Sequence, residues 1–72
     1  MPELPVVSGV EAIGALERLG FVVVRQRGSH VMLRRGSWRC VVPRHRELKR
    51  GTLAAILRQG NVDVAVFIEA LG

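Results

Sequence analysis

Two glycine–serine dipeptides between short apolar segments constrain the fold of this chain more than any other feature. They are Gly28-Ser29 and Gly36-Ser37. The second fits a two-residue hairpin turn with glycine first, because the first central residue of such a turn has a positive φ. The other dipeptide marks a further turn. Three consecutive antiparallel strands are therefore predicted, over residues 21–26, 30–35 and 38–42.

The second of these strands has two distinct faces. Its side chains alternate, and Val31 and Leu33 share one face. The opposite face receives His30, Met32 and Arg34. The first strand does not define its faces in this way, because residues 21–24 are all apolar. The sequence leaves open whether residues 21 and 23 or residues 22 and 24 face the core.

Three helices are predicted around the strands. Ser8 and Glu11 form a capping box, in which each side chain accepts the backbone N–H of the other residue. Gly20 suits the left-handed residue that ends this first helix. Thr52 is expected to cap a second helix and Asp63 a third, each followed by apolar residues at spacings of three and four.

The resulting element order is αβββαα. A single domain over residues 1–72 is expected, because the chain is long enough for one hydrophobic core only. A three-stranded antiparallel sheet with helices on one face buries the apolar stripes most economically. The predicted fold class is therefore α+β.

The basic residues are concentrated in one stretch. Residues 25–50 hold nine of the eleven lysines and arginines and a single acid, Glu47, which gives this stretch a net charge of +8 in a chain of +5. Such segregation favours a polyanionic partner, most simply nucleic acid. The alternative is a solvated basic face that serves solubility.

The cysteine content and the hydropathy of the chain indicate in which cellular compartment the protein is expected. Cys40 is the only cysteine, so a disulfide framework is excluded, which fits a cytoplasmic protein. The first residues do not read as a basic segment followed by the apolar core of a signal peptide. No apolar run approaches the roughly 18 residues of a membrane span. We therefore expect a cytoplasmic protein that does not insert into membranes.

His30 is the first candidate for chemistry, because the unperturbed pKa of histidine lies near neutrality. It follows the Gly28-Ser29 turn, and Arg25, Arg27 and Arg34 are close in sequence. RNA cleavage without a metal needs a base for the 2′-hydroxyl, an acid for the departing 5′ oxygen and cations for the phosphate. Backbone N–H groups of the turn could also face a phosphate. A structural or merely exposed histidine is the alternative.

His45 and possible metal sites are less informative. His45 could be a second acid–base group, a phosphate contact or an exposed loop residue. A zinc site from His30, Cys40 and His45 lacks a fourth ligand and any closely spaced pair, so no metal or other cofactor is expected. The scarcity of carboxylates near the histidines argues against a magnesium-dependent nuclease centre.

Several short motifs follow one another in an order typical of a known family. Gly28-Ser29-His30 follows a strand, and Pro43-x-His45 comes next. Gly51-Thr52-Leu53 and Ile56-Leu57 then fall in a C-terminal helix. With the Leu19-Gly20-Phe21 helix end, these motifs span roughly residues 8–60 and resemble the HicA (YcfA-like) toxins. The chain departs from that pattern at Gln59-Gly60, where Ala-Gly is commoner.

The resemblance implies a fold like a double-stranded-RNA-binding domain and an mRNA interferase that cuts translated messages. It also implies that His30, the histidine of the Gly-Ser-His motif, is catalytic. We expect RNA contacts from Arg25, Arg27, Ser29, Arg34, His45 and Lys49. A binding module of the same fold without turnover is the alternative, since shape recognition of RNA needs basic side chains but no histidine. A structural subunit that binds an acidic protein is a third possibility.

The resemblance further implies a partner, a HicB antitoxin that binds the toxin and masks its site in a hetero-oligomer. We expect this partner to be acidic and to bury His30. The contacts expected for it include Arg25, Arg27, Arg34, Arg39 and Lys49, with apolar contacts from Met32, Trp38 or the first strand. Both faces of that strand are expected to be covered, one by the helices and one by helix or partner.

Overall fold

The chain folds in the predicted αβββαα order. The computed structural model describes residues 3–72. Its elements are α1 (Gly9–Arg18), β1 (Val22–Arg27), β2 (His30–Arg35), β3 (Trp38–Pro43), α2 (Arg50–Gln59) and α3 (Val64–Ala70). The strands form one antiparallel sheet in the order β1-β2-β3, which confirms the α+β prediction. In this part of the chain, none of the helices combines the length and the apolar character needed to cross a bilayer. The finer likeness to a double-stranded-RNA-binding domain stays a prediction.

Both hairpins use two-residue turns with glycine first. Arg27 pairs with His30 across one turn, and Arg35 pairs with Trp38 across the other. Gly28 and Gly36 have φ values of 59° and 61°, whereas the serines that follow them do not have positive φ. A positive φ at the first central residue alone defines the type II′ turn, whose twist matches that of the strands.

The predicted caps of α1 and α3 are confirmed. The Ser8 hydroxyl accepts the backbone N–H of Glu11 at 3.0 Å, and the Glu11 carboxylate accepts the backbone N–H of Ser8 at 2.9 Å. The hydrogen bonds from the Ser8 backbone N–H and side chain lower the pKa of Glu11. At α3, the Asp63 carboxylate accepts N–H groups of Ala65 and Val66.

The predicted start of α2 is wrong. The helix begins at Arg50 with Lys49 as its N-cap, so Thr52 lies inside its first turn. A bridge between Val7 and Leu48 explains the earlier start, because it fixes the chain just before the helix, with Leu48 N–H donating to the Val7 carbonyl at 2.7 Å. The Lys49 side chain makes no capping hydrogen bond.

The core lies between the helices and one face of the sheet. The sheet contributes Val31, Leu33, Cys40 and Val42, and the helices contribute Ala12, Ala15, Leu16, Leu53, Ile56, Leu57 and Phe67. None of the six residues of β1 is buried. The prediction that helices cover one face of this strand is therefore wrong. The helices pack over β3 and the middle of the sheet, and β1 remains a free edge.

Phe67 is fully buried in α3, whereas its neighbour Val66 is 43% exposed. Truncating Phe67 to alanine removes a ring from a close-packed core and should cost roughly 3–5 kcal/mol of the free energy of unfolding. The matched change Val66→Ala should cost less than about 1 kcal/mol, because it leaves no cavity. Urea unfolding followed by circular dichroism measures both. Similar losses in the two variants would mean that α3 does not close this core.

Burial raises the pKa of the Cys40 thiol from 9.0 to about 11. The folded state therefore keeps the thiol proton where the unfolded chain has lost it. Stability from this group is complete below pH 9.0 and is lost as the pH rises towards about 11. Urea unfolding over this range should show a steeper fall in the native protein than in Cys40→Ala. Equal slopes in the two proteins would contradict this linkage.

Candidate functional site

The face of the sheet turned away from the helices carries most of the sequence-predicted site residues. We call it the open face. It is formed by Val22, Val24, Arg25, Arg27, His30, Met32, Arg34, Arg39, Val41 and Pro43. Cross-strand pairing arranges these side chains in rows that lie about 7 Å apart, the rise of two strand residues. Basic groups therefore surround an apolar centre.

A β-bulge in β1 creates this arrangement. Val23 pairs with Leu33 and Arg25 pairs with Met32, so Val24 is an extra residue without a partner in β2. One inserted residue reverses which face every later side chain of the strand occupies. Without it, the alternation from Val23 would turn Arg25 and Arg27 towards the helices. With it, both arginines share the face of His30.

His30 lies at the rim of a shallow pocket on the open face. The pocket has a volume of about 210 Å³ and is lined by Arg25, Arg27, His30, Met32 and Val41. Arg27 and Pro43 are the cross-strand neighbours of His30. The imidazole is exposed, as a group that exchanges a proton with a substrate must be. Two of the predicted phosphate contacts thus stand beside the predicted base.

A second depression extends the basic surface towards the other end of the sheet. It is lined by Val24, Arg25, Met32, Arg34 and Arg39. Arg34 and Arg39 are direct cross-strand partners. Like charges in this position destabilise a sheet. Their juxtaposition favours a polyanionic ligand that would bind both.

No acid in the described structure neutralises the open face. Residues 18–46 contain neither aspartate nor glutamate. Within residues 3–72 the one ion pair joins Arg50 to Glu3 at 3.9 Å, away from the sheet. The arginines of the open face therefore present uncompensated positive charge to the solvent. Such a field attracts phosphate groups and raises their local concentration.

Ser29, His45 and Lys49 lie outside the pocket that His30 lines. The Ser29 carbonyl accepts the Arg44 N–H at 2.7 Å, which continues the pairing of β2 and β3 beyond the strands. The His45 carbonyl accepts the Gly9 N–H at 2.8 Å, so the start of α1 holds this loop. Lys49 precedes α2. The structure does not place these three residues with His30, Arg25 and Arg27 in one cavity.

The close approach between α1 and the loop after β3 depends on a glycine. A Cβ at Gly9 would collide with the Pro43 carbonyl oxygen and the Arg44 Cα. Backbone atoms cannot yield as a flexible side chain can, so glycine is required here. The contact fixes the loop that carries His45 next to the end of the sheet where His30 lies.

The alternative zinc site is not formed. Cys40 is buried on the helix-facing side of the sheet, whereas His30 is exposed on the open face. No group of three histidine, cysteine, aspartate or glutamate side chains within residues 3–72 is placed to hold a metal ion. His30 and Cys40 therefore cannot share a ligand set.

The sequence placed Met32 on the face of His30 but predicted only a partner contact for it, and it predicted no role for Val41. It also assigned Arg39 to the partner contact alone. Val41 and Arg39 reach the open face through the register of β3, in which Val41 pairs with Met32. Alternation within residues 38–42 was the only signal in the sequence that could have found them.

Comparison with protein families gives one clear result. The model of the HicA toxin of bacterial toxin–antitoxin systems matches residues 9–62. The match covers α1, the sheet and α2, and it ends before α3. Searches of curated proteins and of solved structures returned no match. Because the family model covers most of the chain, this protein belongs to the HicA toxin family, the toxin half of bacterial toxin–antitoxin pairs.

Proposed function

We propose that this toxin is a metal-independent endoribonuclease that cuts mRNA, with His30 as its general base. The observation that carries the proposal is the pocket in which an exposed imidazole stands beside Arg25 and Arg27 on a face without acids. Membership of the HicA family supports a role as a toxin. An exposed imidazole beside two arginines is best suited to the cleavage of RNA. Such an enzyme would act in the cytoplasm, where messages are translated.

The reaction is a transesterification within the RNA strand. His30 takes the proton of a ribose 2′-hydroxyl, and the resulting oxygen attacks the adjacent phosphorus. The bond from phosphorus to the 5′ oxygen of the next nucleotide breaks. That oxygen takes a proton from the imidazolium or from water, because arginine keeps its proton at neutral pH. The products are a 2′,3′-cyclic phosphate and a free 5′-hydroxyl.

The arginines stabilise the charge that develops on the phosphate. Arg27 is the direct cross-strand neighbour of His30, and Arg25 lies one row away in the same pocket. Guanidinium groups bind phosphate oxygens through two parallel N–H bonds. Arg34 would hold the strand further along the open face.

The candidate residues outside the pocket, Ser29, His45 and Lys49, would contact nucleotides that flank the cleaved bond. The Gly28-Ser29 turn directly precedes His30, and His45 and Lys49 follow Pro43, the cross-strand partner of His30, by two and six residues. A strand that leaves the pocket at His30 would pass close to them. Contacts of this kind position RNA and supply affinity rather than chemistry.

The central test compares histidine variants of the toxin on RNA. His30→Ala should lower kcat by roughly 100-fold or more, the usual contribution of a general base. His45→Ala, the matched change at the other histidine, should affect KM more than kcat. Cleavage should persist in EDTA. Equal cleavage by His30→Ala and native protein would remove His30 from the mechanism. If the native protein retards the migration of RNA in a gel but produces no shorter fragments, the binding-module alternative is favoured.

We also propose that the partner is an acidic HicB-type antitoxin that covers His30 in a hetero-oligomer. The uncompensated charge of the open face, to which Arg34 and Arg39 contribute, supports an acidic partner, and Lys49 is proposed as a further contact. Val22 and Val24 are each about half exposed on the open face, at 53% and 46%. They could supply the apolar part of the contact, because exposed apolar patches mark interaction sites.

Association kinetics of the toxin with its antitoxin test this pairing. Charge complementarity speeds encounter more than it strengthens the final complex. The on-rate should therefore fall as salt rises, and Arg34→Ala together with Arg39→Ala should weaken that dependence. The matched removal of two charges outside the sheet, Arg18→Ala together with Arg58→Ala in the last turns of α1 and α2, should leave it nearly unchanged. A complex whose structure leaves His30 open to solvent would contradict the proposal.

A further inference from the structure

We propose that Met32 and Val41 form a base-binding floor beside His30, and that this floor restricts the toxin to single-stranded RNA. The inference deepens the proposed function, because the floor lies in the pocket assigned to catalysis. It concerns a different part of the substrate, however. The arginines and His30 face phosphate and ribose, whereas the floor faces a base.

The register of the sheet defines the floor. Met32 of β2 is the cross-strand partner of Val41 in β3, and Arg25 of β1 pairs with Met32 on its other side. The row that contains His30 lies about 7 Å away along the strands. All four residues, with Arg27, line one pocket. A nucleotide whose 2′-hydroxyl reaches His30 can therefore lay its base over Met32 and Val41.

Charge and apolarity are segregated within this pocket. Met32 and Val41 are partly buried, and neither side chain carries a hydrogen-bonding group that could select one base edge. Their neighbours in the pocket are two arginines and the histidine. An ordinary phosphate-binding surface would not need an apolar centre. A ligand that carries negative charge and also a flat, weakly hydrated ring fits both the basic residues and the apolar centre of the pocket.

The chemistry of the floor suits the face of a nucleobase. The thioether of methionine makes favourable contacts with aromatic rings, and a valine side chain adds apolar surface. Contacts to the π-face tolerate any sequence, because every base has one. The pocket volume of about 210 Å³ lies below the roughly 300 Å³ of the smallest drug-sized sites, which suits a single flat ring.

Duplex RNA cannot occupy the floor. Its bases are stacked against one another, and the duplex presents mainly phosphates and 2′-hydroxyls to a protein. A duplex could contact the arginines but would leave Met32 and Val41 without a ligand. Single-stranded RNA can turn a base out onto the sheet. The floor therefore favours single strands through apolar contact, while the charge of the open face attracts both forms.

Binding of RNA that cannot be cleaved tests the floor apart from catalysis. A short single strand of 2′-O-methyl RNA lacks the attacking hydroxyl, so its Kd for the toxin is measured by fluorescence anisotropy without turnover. Met32→Gln should raise this Kd roughly tenfold, within the range found for loss of one stacked base. Met32→Leu keeps an apolar floor and should bind like the native protein.

A matched pair of valines controls for general effects. Val41→Thr exchanges a methyl for a hydroxyl in the floor and should weaken binding. Val66→Thr makes the same exchange at an exposed position of α3, outside the sheet, and should not. The same strand annealed to its complement should bind the native protein more weakly and be insensitive to Met32→Gln. Unchanged thermal unfolding of the variants shows that folding is intact.

The outcomes separate this inference from the proposed function. Native single-strand affinity in Met32→Gln, or equal affinity of native protein for single strand and duplex, would overturn the floor. Loss of antitoxin binding in Met32→Gln with unchanged RNA affinity would make it a protein-docking surface and overturn it as well. If His30→Ala cleaves RNA normally while the binding pattern holds, the proposed mechanism fails and the floor stands.

Discussion

The arrangement of the candidate site depends on one extra residue in an edge strand. Val24 has no partner in β2, and its insertion reverses the facing of the rest of β1. Arg25 and Arg27 consequently join His30 rather than the helix side of the sheet. Bulges are frequent beside active sites because they redirect a side chain at little cost to the sheet. Here the bulge also interrupts a free edge, which discourages pairing with other chains.

The two faces of the sheet differ in what they contact. One face packs into the hydrophobic core, and the other carries the candidate site. The helix-facing side carries Val31, Leu33, Cys40 and Val42, all buried, and α3 closes the core with Phe67. The open face contributes little to this core and concentrates repelling charge, including the Arg34–Arg39 pair. Binding of a polyanion would relieve that repulsion. The stability of the core must therefore offset the charge repulsion on the open face of the unliganded protein.

RNA and antitoxin are proposed to compete for this surface. Both need uncompensated basic side chains, and both find apolar groups beside them. The RNA would use the half-buried floor of Met32 and Val41, whereas a protein could in addition cover the exposed valines of β1. The two ligands would thus share the arginines but differ in their apolar contacts. That difference allows variants to separate inhibition from cleavage.

The local structure and the basic character of the protein follow from residues that are close to one another along the chain. Turn glycines, the Ser8–Glu11 capping box and the alternation of residues 30–35 depend on neighbours along the chain, and each was predicted correctly. The start of α2 at Arg50 depends instead on a contact between distant residues, the bridge between Val7 and Leu48. The facing of β1 depends on tertiary contact as well, since four consecutive apolar residues carry no alternation and a bulge arises only from pairing with β2. Proximity along the chain predicted Arg25 and Arg27 as partners of His30, but the bulge and the cross-strand register decide that they share one face with it and that Val41 joins the same pocket.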